Sequence, residues 1–333
     1  MQRKQPERPR QCAVPEPDAA VFAERLLGWY DRNKRDLPWR KNRDPYRVWL
    51  SEIMLQQTRV AAVLEHYRKF LKKFPNVKKL AAARESSVLA AWSGLGYYRR
   101  ARMLHAAAKE VSGTFSGEFP ASARQLRDLP GIGRYTAAAI ASIAFGEAVA
   151  VVDGNVERVL ARVAGRWLAD EAAWQEAERL LSSQRPGDFN QAMMELGATV
   201  CVPGPPKCLL CPMQDFCATR GELAKEKPGS KQRKRKVHYA LGRKADAVFL
   251  VQRARDAALM PGMWELPELT NGQRSRRALL QLRHSITVTD YDVRVVEAMP
   301  ADEVAGKWIP RQRLGSMALT GLGRKILRQA GLI

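Results

Sequence analysis

The sequence predicts a chain of two structural classes, a mainly α N-terminal part followed by a smaller α+β part. Three observations carry that prediction. From Val21 to about Arg220 the apolar residues recur at helical spacing, Ala-rich and punctuated by Gly and Pro, without strand-like alternation. Composition changes at Gly221, and the stretch Ala224 to Lys236 holds Pro228, Gly229 and the run Lys231-Gln232-Arg233-Lys234-Arg235-Lys236. Beyond it, Ala247-Val248-Phe249-Leu250-Val251 and the stretch Ile286 to Val296 are β-branched and strand-like, while Thr320 to Gly331 has a helical pattern. The expected organisation is a mobile arm over 1–20, a helical domain over 21–220, a basic linker over 221–236 and an α+β domain over 237–333.

At 333 residues and 46% hydrophobic content the chain can build sizeable cores, which excludes disorder throughout. Its 23 Gly and 19 Pro follow no period, which excludes a collagen-like rod. No run of about 18 apolar residues is present, so no spanning helix is expected. Met1 to Arg10 is basic and polar with no apolar stretch behind it, so the expectation is a soluble, cytoplasmic protein without a secretory signal. Lys and Arg number 56 against 34 Asp and Glu, a net charge of +22. Such an excess suits a polyanion, because each neutralised phosphate releases condensed counterions. Nucleic acid is therefore the expected partner, and a membrane surface fits less well because no basic amphipathic anchor stands out.

Taken in order, Trp49 to Phe70 reads as two helices that meet near Gln56-Gln57-Thr58. Glu52 lies in the first, among Trp49, Leu50, Ile53, Met54 and Leu55, and burial among them would raise its pKa and keep a proton available. A carboxyl leaning out to solvent is the plainer alternative. Leu95-Gly96-Tyr97-Tyr98 opens a loop. Leu129-Pro130-Gly131-Ile132-Gly133-Arg134-Tyr135-Thr136 lies between helical stretches, and its glycines allow a tight turn with free amides at the start of the next helix, an anion site. In a chain of charge +22 this reads as a helix-hairpin-helix. Asp153 follows the apolar run Ala148 to Val152 and precedes a helix expected from about Asn155, where amide donors and the dipole keep a carboxylate ionised. A plain N-cap is its alternative. Together the two carboxyls form the pattern of an acid and a charge-stabilising partner, which cleavage of a glycosidic bond needs.

Four of the five cysteines, Cys201, Cys208, Cys211 and Cys217, are spaced C-x6-C-x2-C-x5-C. Four thiolates this close can converge on one metal centre. Structural zinc suits the same ligands, but zinc sites usually use two short hairpins, and one short pair between longer gaps favours a [4Fe–4S] cluster over zinc or disulfides. Cys12, in the arm, is incidental. The basic run is a solvated tether or a phosphate contact.

These features resemble the endonuclease III superfamily of DNA glycosylases, and within it the MutY-type adenine DNA glycosylases. The resemblance rests on Leu37-Pro38-Trp39-Arg40, Asp44-Pro45-Tyr46, Ser51-Glu52-Ile53-Met54-Leu55-Gln56-Gln57-Thr58, Gly94-Leu95-Gly96-Tyr97-Tyr98, the hairpin, Asp153-Gly154-Asn155-Val156 and the cysteine loop at 201–217. It implies a helix-hairpin-helix glycosylase domain with an iron–sulfur loop, followed by a Nudix-like lesion-recognition domain. It implies that Glu52 protonates adenine N7 and then handles the water, that Asp153 stabilises the oxocarbenium ion or forms a sugar adduct, and that Tyr135 and Asn155 support them. Gln57 and Tyr97 match the residues that wedge into the base stack, with Arg40, Leu55, Thr58 and Leu95 in the same lesion-facing shell and Gly131 and Gly133 on phosphate. The four cysteines would hold [4Fe–4S]. The implied substrate is duplex DNA carrying adenine opposite 8-oxoguanine or guanine, met by a monomer.

Bifunctional relatives place a Schiff-base Lys two residues after the second hairpin glycine. Tyr135 stands there, so base excision without strand cleavage is expected. The C-terminal resemblance lies at Met260-Pro261-Gly262-Met263-Trp264-Glu265-Leu266-Pro267 and at Trp308. After Glu268 come Arg274, Arg276 and Arg277, with no Glu before Glu297, so a Glu-rich diphosphate-hydrolysing helix is not expected. Where many relatives carry a Phe-Ser-His loop for 8-oxoguanine, the nearest match is His284-Ser285-Ile286-Thr287-Val288, without the Phe or the second His. The alternatives are a non-catalytic DNA-binding protein on this scaffold and a pyrimidine-directed glycosylase.

Overall fold

The structure, a computed structural model, describes residues 17–223, 233–254, 256–257, 259–269, 277–286, 289–299 and 304–333. The N-terminal arm as far as residue 16, with Cys12, lies outside the described residues, as do Lys231, Gln232, Arg274, Arg276, Thr287 and Val288.

Helix α1 (Ala19–Asn33) begins where the Asp18 carboxylate accepts from the amides of Ala20 and Val21, and it buries Phe22, Leu26 and Trp29 on one face. A short 3-10 turn at Pro38–Arg40 precedes α2 (Pro45–Leu55), the helix of Glu52. Then come α3 (Val60–Lys73), α4 (Val77–Ala81), α5 (Glu85–Trp92), α6 (Tyr98–Thr114), α7 (Ala123–Leu126) and α8 (Arg134–Ile140), the last running into a π turn at Ala141–Phe145. Helices α9 (Gly154–Ala164), α10 (Asp170–Leu180) and α11 (Pro186–Thr199) complete the helical part, and no strand occurs among its described residues.

Strands follow: β1 (Arg233–Leu241), β2 (Arg243–Lys244), β3 (Ala247–Gln252), β4 (Trp264–Glu265), β5 (Ala278–Ile286), β6 (Thr289–Glu297) and β7 (Lys307–Pro310), closed by α12 (Arg311–Leu314) and α13 (Gly321–Gln329). One sheet has the order β1-β6-β5, with β1 parallel to β6 and Val237 opposite Val293. The other has β3 between β2 and β4, with β7 also paired to β3. Val237, Leu241, Leu250, Val293, Val295, Ile326 and Leu327 share their core.

Two expectations are corrected. The basic run, read as linker to Lys236, is strand from Arg233 on, because its backbone pairs with β6 while its long cationic side chains stay in water. The single strand expected over Ile286 to Val296 is the hairpin end of β5 followed by β6, because Ile286 and Thr289 pair across it.

Of the described residues, one compact unit comprises 17–49, 120–128 and 132–223, and a second comprises 50–119, 129–131 and 233 onward. In the first, Phe22, Leu26, Leu160, Phe189, Met193 and Leu196 form one core, with Cys201 and Met213 in it. In the second, Phe70 packs edge-on to Trp92 at 6.0 Å, and Leu104, Ala108 and Val111 of α6 are buried.

Candidate active site

Asp153 caps α9. Its Oδ1 accepts from the amides of Asn155 (2.9 Å) and Val156 (2.8 Å), and its Oδ2 from Asn155 Nδ2 (2.9 Å). Three donors leave the carboxylate one orientation at the positive end of the helix. The extended chain before it is held as firmly. Asn190 of α11, fully buried, accepts from the Val151 amide (3.1 Å) and donates to Val149 O and Ser142 Oγ (2.9 Å each). Asn155 in turn accepts from Arg158 Nη2 (2.8 Å), which also donates to Gly197 O, and Arg158 Nε donates to Cys201 O (2.8 Å). Gly197 lets α11 pass this close: a Cβ there would stand 2.7 Å from Asn155 Cβ.

The same helix α11 carries Met194 and Glu195. The Tyr135 hydroxyl donates to Met194 Sδ at 3.3 Å. Glu195 is buried and accepts from Arg35 Nε (2.7 Å) and Nη2 (2.8 Å) and from Arg40 Nη2 (2.9 Å). Burial raises its pKa, but the two guanidiniums outweigh burial and hold it below the usual carboxylate range. Arg40, read from sequence as lesion-facing, therefore has its guanidinium committed to Glu195 and stacked 5.4 Å over the Tyr30 ring.

In the second unit Glu52 is 7% exposed, one helical turn from Trp49 and flanked by buried Ser51, Ile53 and Met54, the apolar setting the sequence predicted. Gln57 and Tyr97 are both exposed, and both take left-handed backbone, φ 54° and 48°. Such a conformation costs about 1 kcal/mol or more for a residue with a Cβ, so the surrounding structure must impose it. Arg100 does. Its Nη1 donates to the carbonyls of Ile53 (2.8 Å), Met54 (3.1 Å) and Gln56 (2.5 Å), and its Nη2 to Thr58 Oγ1 (3.2 Å) and the Leu95 carbonyl (3.2 Å). Its charge lies 5.3 Å over the Tyr97 ring. One guanidinium thus joins the Gln57 loop to the Tyr97 loop. Burial draws its pKa down to about 10, which leaves it charged at neutral pH. Leu55 and Thr58 are half-buried. Leu95 is 6% exposed, its side chain packs inward, and its carbonyl accepts from Arg100. Arg100→Lys should lower stability by about 1–3 kcal/mol in urea unfolding, because a single ammonium cannot satisfy six oxygens across the two loops.

The hairpin glycines differ. Gly131 has φ 75°, and a Cβ there would lie 2.4 Å from Met103 Cβ. Gly133 is extended, with open space beside it, and caps α8. Without a side chain it makes no side-chain cap to that helix. Gly131→Ala is expected to cost about 1–3 kcal/mol through the clash and the left-handed φ, read as a fall in Tm, while Gly133→Ala costs less.

With this geometry in hand, comparison with known proteins is informative. A family model described as HhH-GPD superfamily base excision DNA repair protein matches residues 50–183. The solved structure of a thermostable thymine-DNA glycosylase superposes with a TM-score of 0.57 at 33% identity, covering 61% of this chain and 96% of that one. An adenine DNA glycosylase of Homo sapiens is 47% identical over 224 residues, covering 63% of this chain and 41% of the relative. An adenine DNA glycosylase of Schizosaccharomyces pombe is 32% identical over 324 residues, covering 76% of this chain and 70% of the relative. The chain belongs to the adenine DNA glycosylase family. Its helical part has the HhH-GPD glycosylase fold, followed by a C-terminal α+β region of sheets. It spans less than half the length of the human relative.

The four cysteines lie in one loop region of the first unit. Cys201, Cys208, Cys211 and Cys217 line one cavity of about 310 Å³, open mouth included, together with Arg162, Lys207 and Arg220. Arg162 Nη1 donates to Cys201 Sγ (3.3 Å), and the Arg220 amide to Cys217 Sγ (3.4 Å). Burial pushes the Cys211 thiol up to about 11 and raises Cys201 as well, so thiolates here need positive charge nearby. Among the described residues no three His, Cys, Asp or Glu side chains are gathered tightly enough for a single ion. Sequence inspection missed Arg100, Arg158, Asn190 and Glu195. Each makes at least one contact 39 or more residues away in the chain, which no local pattern announces.

Proposed function

We propose that the chain removes adenine mispaired with 8-oxoguanine or guanine in duplex DNA by hydrolysing the N-glycosidic bond. The observation that carries this reading is the Asp153 carboxylate, oriented by three donors and braced through Asn155 and Arg158, at the position where the sequence resembles the family's charge-stabilising residue. The target base must leave the stack, at a cost of a few kcal/mol, roughly that of unstacking. Exposed Gln57 and Tyr97 enter the gap, and the hairpin at Gly131 and Gly133 takes a phosphate. Glu52 gives its proton to adenine N7, the C1′–N9 bond breaks with its electron pair going to adenine, and Asp153 stabilises the sugar cation. Water then adds to C1′ and returns a proton to Glu52. Without an amine at Tyr135, no Schiff base forms and the strand stays intact.

The cysteine pocket suits a [4Fe–4S] cluster better than a lone zinc, since four thiols line it and three cations stand against the net negative charge of a four-thiolate cluster. When bound, the cluster supplies a structural brace for the 201–217 loop, and Cys201, Cys208, Cys211 and Cys217 would hold it. The C-terminal region is read as a Nudix-like recognition domain without diphosphate hydrolysis. In support, Glu265 is paired with Arg253 (2.5 Å) and Glu268 with Arg235 (3.4 Å) rather than gathered for a divalent metal.

Single-turnover excision across opposing bases tests the reading. Adenine should be released opposite 8-oxoguanine and guanine, with no strand nicking before alkali. Faster release of thymine or uracil would favour the pyrimidine-directed alternative, which the matched thymine-DNA glycosylase keeps in view. Binding without release of any base would leave a non-catalytic DNA-binding protein.

A further inference from the structure

The loop that presents Tyr97 is closed at its base by the C-terminal region. Ser93 precedes the loop and Tyr98 follows it, and both side chains reach the same acceptor. Tyr98 Oη donates to the Leu319 carbonyl at 2.7 Å and Ser93 Oγ approaches that oxygen at 3.3 Å, the two hydroxyls lying 3.2 Å apart. Arg324 of α13 donates through Nε to Ser93 Oγ at 2.7 Å and through Nη2 to the Met317 carbonyl at 3.2 Å. Ser93 thus accepts from Arg324 and passes its own hydrogen on. Leu319 is itself immobilised, since Trp264 N donates to Ala318 O and Thr320 N to Trp264 O (2.9 Å each). Arg102 adds a second fastening, to the Pro261 carbonyl. Ser93, Tyr98 and Leu319 are all buried, so water competes poorly for these bonds. Between the pinned ends lie Gly94, Gly96 and Tyr97, all with positive φ, a segment that would relax if released.

We propose that Tyr98, Ser93 and Arg324 are positioning residues through which the C-terminal region holds the Tyr97 loop in its DNA-inserting shape. This rests on the excision reading for its consequence, but not for the clamp itself. The region from Trp264 to Arg324 then has a role in catalysis separate from any reading of the opposing base.

The test uses the full chain with Tyr98→Phe and Arg324→Ala, and Arg324→Lys as the conservative control. Hydrogen exchange is read at the Leu95 amide, which bonds to Trp92 O at 3.1 Å inside the loop. Loss of one buried bond should speed its exchange roughly tenfold, while amides of α3 and β6 stay unchanged and Arg324→Lys recovers most of the protection. Excision is then measured in a double-mutant cycle with Tyr97→Ala. Tyr98→Phe should slow excision in the otherwise wild-type chain and have no further effect once the Tyr97 ring is gone. Unchanged Leu95 exchange, or a rise shared equally by α3 and β6, would overturn the clamp. Additive slowing in the cycle would overturn its link to Tyr97. If the wild-type chain released no adenine, the excision reading would fall, and the exchange measurement would still decide the clamp.

Discussion

Asp153→Asn is expected to lower single-turnover adenine excision by roughly 10³-fold or more, the scale of losing a preorganised charge at a developing cation. The fold should hardly notice. An Asn oxygen at Oδ1 can still accept from the Asn155 and Val156 amides, and Asn is as good an N-cap as Asp. Only the Oδ2 bond from Asn155 Nδ2 has to be remade, and the negative charge disappears. Tm and affinity for mismatched duplex should therefore stay close to wild type while release of adenine stops. A fall in Tm with excision retained would return Asp153 to the role of a plain helix cap.

Glu52→Gln should slow excision by roughly 10²–10⁴-fold, the usual weight of a positioned general acid. The substitution keeps volume and length in a helix where Trp49, Leu50 and Met54 are fully buried, so packing is preserved while the transferable proton is lost. Mismatch binding should persist. Rates measured from pH 5 to 9 add a second check, because the wild-type limb that reports the protonated acid should be missing from the variant. Turnover near wild type would remove Glu52 from the chemistry, and the proton would then have to come from another group or from water.

Several of these assignments could be read along the chain because their physics is local. The cap at Asp153 needs only a carboxylate before a helix, the turn at Gly131 only a residue tolerant of φ 75°, and the burial of Glu52 only the apolar neighbours on its own helix. The cysteine spacing likewise placed four thiols around one cavity. Local pattern leaves open which of two settings a side chain takes. Leu95 and Arg40 sit beside exposed loop residues, yet one turns into the core and the other is bound to Glu195, 155 residues away. The basic run after Lys231 looked like a tether because charge is visible in sequence and strand pairing with β6 is not.

Helix spacing, charge excess, hairpin glycines and cysteine pattern were therefore enough to state the fold class and to nominate the carboxylates. The supports of those groups were set by tertiary packing: Asn190 behind Val151, Arg158 between Asn155 and Cys201, Arg100 across two loops, and Leu319 beneath Ser93 and Tyr98. Backbone carbonyls are the acceptors in most of these contacts, and every residue carries one. Which carbonyl meets which guanidinium or hydroxyl depends on how helices and sheets pack, and no local pattern along the chain announces that.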